Sequence, residues 1–255
     1  GLVGSEMCIR DSEQTDPRLD HPYSVEKHVA ALANYHQTYG TKSDPPKDQA
    51  PSKNQLACLS QLIEEGLPPA VVFALWRPHS DRLIKTQKLR GSILGSGGEL
   101  VPIEIVGPCD IRVWDRSWAV FKTALIMLGL VDLGPLEQDQ RNMHRLLEQY
   151  GADNWILLYQ ADCRARHEFL LDIQVDLLRE HQAATAAGTT SPYDPARPWN
   201  EAFNRLTGEG HHPSVNFWYR EFTEPAITIN SRANRIPYFL GGESPIASNQ
   251  NMGEA

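Results

Sequence analysis

The chain lacks the features that mark a membrane protein, a disulfide-bonded protein or a strongly basic protein. Its most apolar run, Ala124 to Val131, is interrupted by Gly129 and is far shorter than the ~18 residues that cross a bilayer. The 255 residues contain 24 basic and 32 acidic side chains, so a global electrostatic attraction to nucleic acid is excluded, although a local basic patch is not. The four cysteines lie far apart, without the spacing of a disulfide framework. These absences predict an intracellular protein, cytoplasmic or nuclear, with no membrane anchor in this sequence.

The first twelve residues, GLVGSEMCIRDS, resemble the translation of a transposase-based sequencing adaptor. They contain three charged side chains and no apolar core, so they are not typical of a signal peptide. We exclude residues 1–12 from the fold and expect the native N-terminus to be missing. Residues 1–12 contain one basic and two acidic residues. The remaining chain therefore has 23 basic and 30 acidic residues and a net charge of −7. Three cysteines also remain, an odd number that predicts reduced thiols: Cys58, Cys109 and Cys163.

Composition divides the chain into a central domain and two peripheral segments. Residues 13–51 mix charges with prolines and predict a mostly disordered arm, with one helix from the N-cap Ser24 to about Tyr39. Residues 241–255 predict a disordered tail, so both segments are expected to be dispensable for folding. Residues 52–240 predict a single domain.

The predicted fold class is mainly α, a helical domain with a small N-terminal β-hairpin. The hairpin is expected near residues 92–106, where two β-branched runs flank the glycine-rich loop 95–98. That loop is not followed by a helix, so we interpret it as a turn and not as a phosphate-binding loop.

Helical spacing dominates after residue 110. Apolar residues recur every three or four positions from Trp114 to Leu128, and a second stripe runs from Leu136 to Tyr150. A long helix is predicted from Asp153 to about Ala187; at roughly 50 Å it must either kink or project from the domain. Two short helices are predicted to follow, at residues 198–206 and 213–223, with Pro225 ending the second.

A basic stripe lies just before the hairpin and contains a single acid, Asp81. Such a stripe can pair with phosphates while a neighbouring aromatic ring stacks on a base. A solvated basic face is the alternative interpretation. The candidate nucleic-acid-binding residues are Trp76, Arg77, Arg82, Lys85, Lys88 and Arg90.

A second candidate site lies on the long helix. Cys163 and His167 are four residues apart, the spacing of transition-metal ligands on one helix face, and Asp162 is adjacent. A core thiol beside a solvated histidine is the alternative. No HExxH, CxxC or GxSxG motif is present in the sequence, so we predict no cofactor and no catalysis.

Residues 71–229 resemble an uncharacterised segment of dinoflagellate polyproteins of the retroelement type. The order and spacing of five blocks carry the resemblance: FALWRPHSDRLIK, IVGPCDIRVWDRSWAVFKTALIMLG, YGADNWILLYQADCRARHEF, PYDPARPWNEAF and FWYREFTEPAI. In such polyproteins the segment precedes Cys/His-rich knuckles and polymerase domains, where a gag-like domain would lie. The resemblance implies a non-catalytic assembly or nucleic-acid-associated module, with self-association and RNA as the expected partners. A metal-dependent enzyme centred on Asp162, Cys163 and His167 is the alternative.

Overall fold

The structure is a computed structural model that describes residues 23–74, 76–78, 88–94, 99–207 and 217–233. The described part is mainly helical, as predicted. Its helices are α1 (Val25–Tyr39), α2 (Lys53–Glu64), α3 (Ile111–Met127), α4 (Leu133–Tyr150), α5 (Trp155–Arg164), α6 (Leu170–Ala186), α7 (Pro198–Thr207) and α8 (Glu224–Ala233). Among the described helices, none combines the length and the apolarity needed to cross a membrane.

Helix α1 has the predicted ends. The Ser24 hydroxyl accepts a hydrogen bond from the Lys27 N–H at 3.1 Å, and Gly40 ends the helix in the left-handed conformation that glycine adopts without strain. Ala31 and Tyr35 are buried in the main core.

Within the predicted arm, the helix α1 is thus packed on the core, whereas residues 13–22 and the predicted tail lie outside the described residues. The physical reason is that α1 does not have to build a core of its own. It docks on α3, and the Asn34 amide donates to the carbonyl of Met127 at the end of that helix, at 3.0 Å.

Two residues on α1 test this docking. We expect Tyr35→Ala to lower the free energy of unfolding by about 3 kcal/mol, because it leaves a cavity in the core. Val29→Ala is the matched control: its side chain is 60% exposed, and it should change stability by no more than about 0.5 kcal/mol. Urea unfolding followed by circular dichroism measures both. Equal, small losses would mean that α1 does not pack on the domain.

Helix α2 begins with a capping box. Ser52 and Gln55 exchange hydrogen bonds between side chain and backbone, at 3.1 and 2.8 Å. Its buried face is Leu56, Leu59 and Leu62. The segment after α2 forms no regular helix and buries Val71 and Phe73.

Two strands follow, β1 (Lys88–Leu94) and β2 (Leu100–Val106), paired antiparallel with Gly91 opposite Ile103. The glycine loop between them lies outside the described residues. Gly107 then leads towards α3 and lies against the ring of Tyr159, where any Cβ would overlap the ring carbons. This close approach requires glycine.

Helix α3 is the centre of the core. Asp110 caps it by accepting from the Val113 N–H at 2.9 Å. Trp114 and Trp118 stack with ring centroids 5.1 Å apart, and Phe121 packs edge-on against both Phe73 and Trp76. The predicted apolar stripe thus faces the interior, with Trp114, Trp118, Phe121 and Leu125 fully buried.

The predicted long helix is interrupted. A short 3-10 turn, Ala152–Asn154, precedes α5, and a π-helical turn, Ala165–Phe169, separates α5 from α6. A π turn adds one residue to a helical turn and shifts the faces on either side of it. The buried face of α5 therefore continues onto α6 through Leu170, Ile173 and Leu177.

The C-terminal helices agree with the sequence in part. Helix α7 has the predicted bounds within one residue and buries Trp199, Phe203 and Leu206. The prediction that Pro225 ends the last helix is wrong. A second π turn, Tyr219–Thr223, runs directly into α8, and Pro225 is the second residue of α8.

Candidate functional site

The structure separates the members of the predicted basic stripe. Trp76 is 2% exposed and packs against Phe121, so its ring presents no face on which a base could stack. Arg77 is 6% exposed, too buried to reach a phosphate. The predicted nucleic-acid role is therefore wrong for these two residues, because the core of the domain takes up their side chains.

The remaining four residues of the stripe stay predicted contacts. Arg82 and Lys85 lie outside the described residues. Lys88 and Arg90 lie on β1, where their backbones pair with Val106 and Glu104.

A buried ionic cluster lies at the junction of α5 and α6. Asp162 and Arg166 form its ion pair, with side chains 2% and 1% exposed. Arg166 Nε and Nη2 donate to the two carboxylate oxygens of Asp162 at 3.1 and 2.7 Å. Such a two-pronged bond fixes both groups in the plane that they share.

Three further groups complete the cluster. Trp114 Nε1 donates to Asp162 Oδ2 at 2.9 Å, and Arg166 Nη1 donates to the carbonyl of Val71 at 2.9 Å. The guanidinium also lies 4.0 Å above the ring of Phe73, a cation–π contact. We call Val71, Phe73, Trp114, Asp162 and Arg166 the ionic cluster. It ties the segment before the hairpin, α3 and the α5–α6 junction together.

The π turn places Arg166 in this cluster. Asp162 lies in the last turn of α5, Arg166 is the second residue of the π turn, and both belong to the buried face. Burial disfavours the charged guanidinium, but the Asp162 carboxylate beside it raises the pKa of Arg166 above its ordinary value. The Arg166 guanidinium is consequently charged throughout the physiological range.

Asp139 on α4 lies beside the cluster as a buried acid. Its Oδ2 has no hydrogen-bond partner among the described residues. Burial raises the pKa of Asp139 to about 8, the Asp162 carboxylate adds to this rise, and Arg166 opposes it. Asp139 is thus protonated at neutral pH, since a second carboxylate there would be costly.

We expect Asp139 to make the protein less stable as the pH rises. Its folded pKa lies above the unfolded value near 3.9, so between these pH values the folded state binds the extra proton and stability falls by up to about 1.4 kcal/mol per pH unit. Asp139→Asn, which stays neutral, should remove this part of the slope. Urea unfolding of both proteins from pH 5 to 9 gives the slope of their free energies of unfolding against pH. Parallel curves for the two would show that Asp139 is ionised in the fold.

The structure does not bring the three residues of the second candidate site together as ligands. Both oxygens of Asp162 are bonded within the ionic cluster. Burial raises the pKa of the Cys163 thiol to about 11, which disfavours the thiolate that a metal binds. Burial, together with Arg166, lowers the pKa of His167 to about 4. Within the described residues, no three His, Cys, Asp or Glu side chains are grouped as metal ligands.

No protein-family model matches this chain, and no curated protein or solved structure is significantly similar to it. Its function therefore has to be inferred from its own residues.

Two surface grooves are wide enough for a ligand. One of about 420 Å³ lies along α3 and α4 and is lined by Lys122, Glu137, Gln140, Arg141 and His144. Within it, Arg141 lies 3.7 Å from Glu137, and His144 Nε2 lies 2.9 Å from Asp115. The other, of about 360 Å³, lies where α1, the end of α3 and Arg197 meet. Arg197 is likewise bonded there to Asp132, at 2.5 Å.

The outer face of α6 differs from these grooves because it is apolar. Leu171, Val175 and Leu178 are 39, 38 and 38% exposed. Their spacing of four and three residues places them along one line of the helix, on a different side from the buried Leu170, Ile173 and Leu177. We call Leu171, Val175 and Leu178 the α6 stripe.

Sequence reasoning missed the burial of the ionic cluster and the α6 stripe. The spacing of Asp162 and Arg166, one turn apart on a helix, allows an ion pair, and the signal for its burial is that both positions fall on the apolar face between Tyr159 and Ile173. The signal for the α6 stripe is the repeat of apolar residues at 171, 175 and 178, beside the buried residues at 170, 173 and 177.

Proposed function

We propose that this chain is a non-catalytic, gag-like assembly module that associates with copies of itself. The observation that carries the proposal is the α6 stripe, three apolar side chains aligned on the outside of a helix that already buries another face. Contiguous exposed apolar surface in a folded domain is typical of interaction sites. The resemblance to polyprotein segments in a gag-like position agrees with this function.

The surroundings of the ionisable residues favour assembly over catalysis. Asp162 and Arg166 bond to each other, to Trp114 and to a backbone carbonyl beneath the surface. A catalytic group has to reach a substrate, and the bonds of these two groups are directed at the protein itself. The ionic cluster thus supports a structural role, and no observation favours the metal-dependent enzyme.

Sedimentation velocity of the 28.6 kDa chain over a wide concentration range, without nucleic acid, tests self-association. We expect the weight-average mass to rise with concentration towards twice the monomer mass. A mass that stays at the monomer value at every concentration would contradict the proposal.

RNA is the second partner that we propose, through the part of the basic stripe that the core does not take up. The chain outside the stripe is net acidic and would repel phosphates, so the contact has to be local. Neutralising Arg82, Lys85 and Lys88 together should weaken binding at low salt and flatten the slope of log affinity against log salt by about two units, at ~0.7 for each lost single-strand contact.

A fluorescence-anisotropy titration with single-stranded RNA at several salt concentrations measures this slope. The control is neutralisation of Lys27 and Arg112, which are exposed on other helices. Equal binding by the wild type and the triple variant would mean that the basic stripe contacts solvent and not RNA.

A further inference from the structure

We infer that the α6 stripe is the surface on which two copies of this chain pair, with their α6 helices antiparallel about a two-fold axis. This inference rests on the proposed self-association and adds its surface, its partner and its orientation. A symmetric dimer uses the same surface on both copies, so that surface has to be complementary to itself in shape and in charge.

The spacing of the stripe makes the surface complementary to itself in shape. Leu171, Val175 and Leu178 alternate at four and three residues, the a/d repeat with which two helices pack side by side. The neighbours on one side of the stripe and at its end are exposed as well, whereas Gln174 and His181 on its other side are buried and half-buried. The exposed neighbours are Asp172, Asp176, Arg179 and Gln182. A second helix can therefore approach along the line of the stripe.

Charge selects the orientation and the register. When Val175 packs against Leu178 of the second copy, the two-fold axis repeats this contact, and the flanking positions that face each other are Asp172 and Arg179. Each dimer then has two ion pairs between the copies. Shifting the register so that Leu171 packs against Val175 would instead place Asp172 against the same residue of the other copy, which is unfavourable.

The size of the stripe indicates a weak dimer. Three side chains per copy cover much less than the ~800 Å² per partner of a stable complex. We therefore expect pairing that depends on concentration. In an assembly of many copies, further contacts would add to this weak one and strengthen the whole.

A charge exchange tests the pairing. Asp172→Arg places two arginines opposite each other at both ends of the interface and should weaken dimerisation about tenfold or more. The double variant Asp172→Arg, Arg179→Asp restores opposite charges and should recover dimerisation to within about threefold of the wild type, as two exposed pairs contribute little on their own. Sedimentation velocity at matched concentrations measures all three proteins.

An apolar-to-charged exchange tests the stripe directly. Val175→Asp should abolish the dimer, whereas Ile227→Asp, at an apolar site 48% exposed on α8, should leave it unchanged. Circular dichroism shows whether each variant keeps its helices, and Val175→Lys serves as a second variant if the aspartate disturbs α6.

The outcomes separate this inference from the proposed function. If the wild type associates and Val175→Asp associates equally, self-association stands but the α6 stripe is not its surface. If Asp172→Arg and the double variant weaken the dimer equally, the antiparallel register is wrong. If the wild type stays monomeric and Val175→Asp increases proteolysis of the segment after residue 233, the occupant is the chain's own C-terminal segment. A monomer in every case overturns both proposals.

Discussion

Arg166→Met is expected to lower the free energy of unfolding by about 3 to 5 kcal/mol, the cost of removing one partner of a buried ion pair. The loss arises because Asp162 would keep a buried charge whose remaining polar contact in the ionic cluster is the Trp114 N–H. The variant also removes the bond that holds the Val71 carbonyl and the contact with Phe73. Urea unfolding followed by tryptophan fluorescence measures the change.

Two comparison variants identify the cause of this loss. Arg141→Met removes an exposed arginine from its pair with Glu137 and should cost no more than about 0.5 kcal/mol. Asp162→Leu combined with Arg166→Met removes both charges and should cost less than Arg166→Met alone, because no isolated charge remains. If the double variant is the less stable of the two, the cluster stabilises the fold through its bonds to Trp114 and Val71 more than through charge pairing.

Trp118→Ala and Phe121→Ala are each expected to destabilise the protein by about 3 to 5 kcal/mol, since both side chains are fully buried at the centre of α3. Trp118 stacks on Trp114, and Phe121 contacts Phe73 and Trp76. Each truncation therefore leaves a cavity among rigid aromatic rings that cannot collapse to fill it.

The control on the same helix is Arg112→Ala, whose side chain is 87% exposed and which should cost less than about 1 kcal/mol. Urea unfolding followed by circular dichroism compares the three variants. A loss below about 1 kcal/mol for both aromatic variants would mean that the α3 stripe faces a partner and not the core.

Local signals in the sequence predicted the helices well. A cap and a stop determine α1, where Ser24 and Gly40 act on residues within one turn. The buried apolar face of α3 could likewise be predicted, because apolar residues recur there at helical spacing. These features depend on neighbours in the chain, so the sequence contains all that is needed to predict them.

The errors share a different cause, namely contacts between distant parts of the chain. The order of α1 depends on its docking against α3, which is nearly a hundred residues away, as in the bond from Asn34 to Met127. The burial of Trp76 depends in the same way on Phe121. Arg166 is a charged residue on an apolar face. Its pair with Asp162 is local, but its bond to the Val71 carbonyl joins residues 95 positions apart. No local pattern encodes such pairings.

Hydrogen–deuterium exchange of the wild-type chain, measured dilute and concentrated, tests most directly whether the outer face of α6 is the assembly surface. Pairing should slow the local opening of the helix that is covered. We predict that peptides from α6 exchange more slowly in the concentrated sample, while those from α1 and α4 exchange at the same rate in both. Exchange in α6 that is independent of concentration, or slowing confined to another helix, would contradict the account.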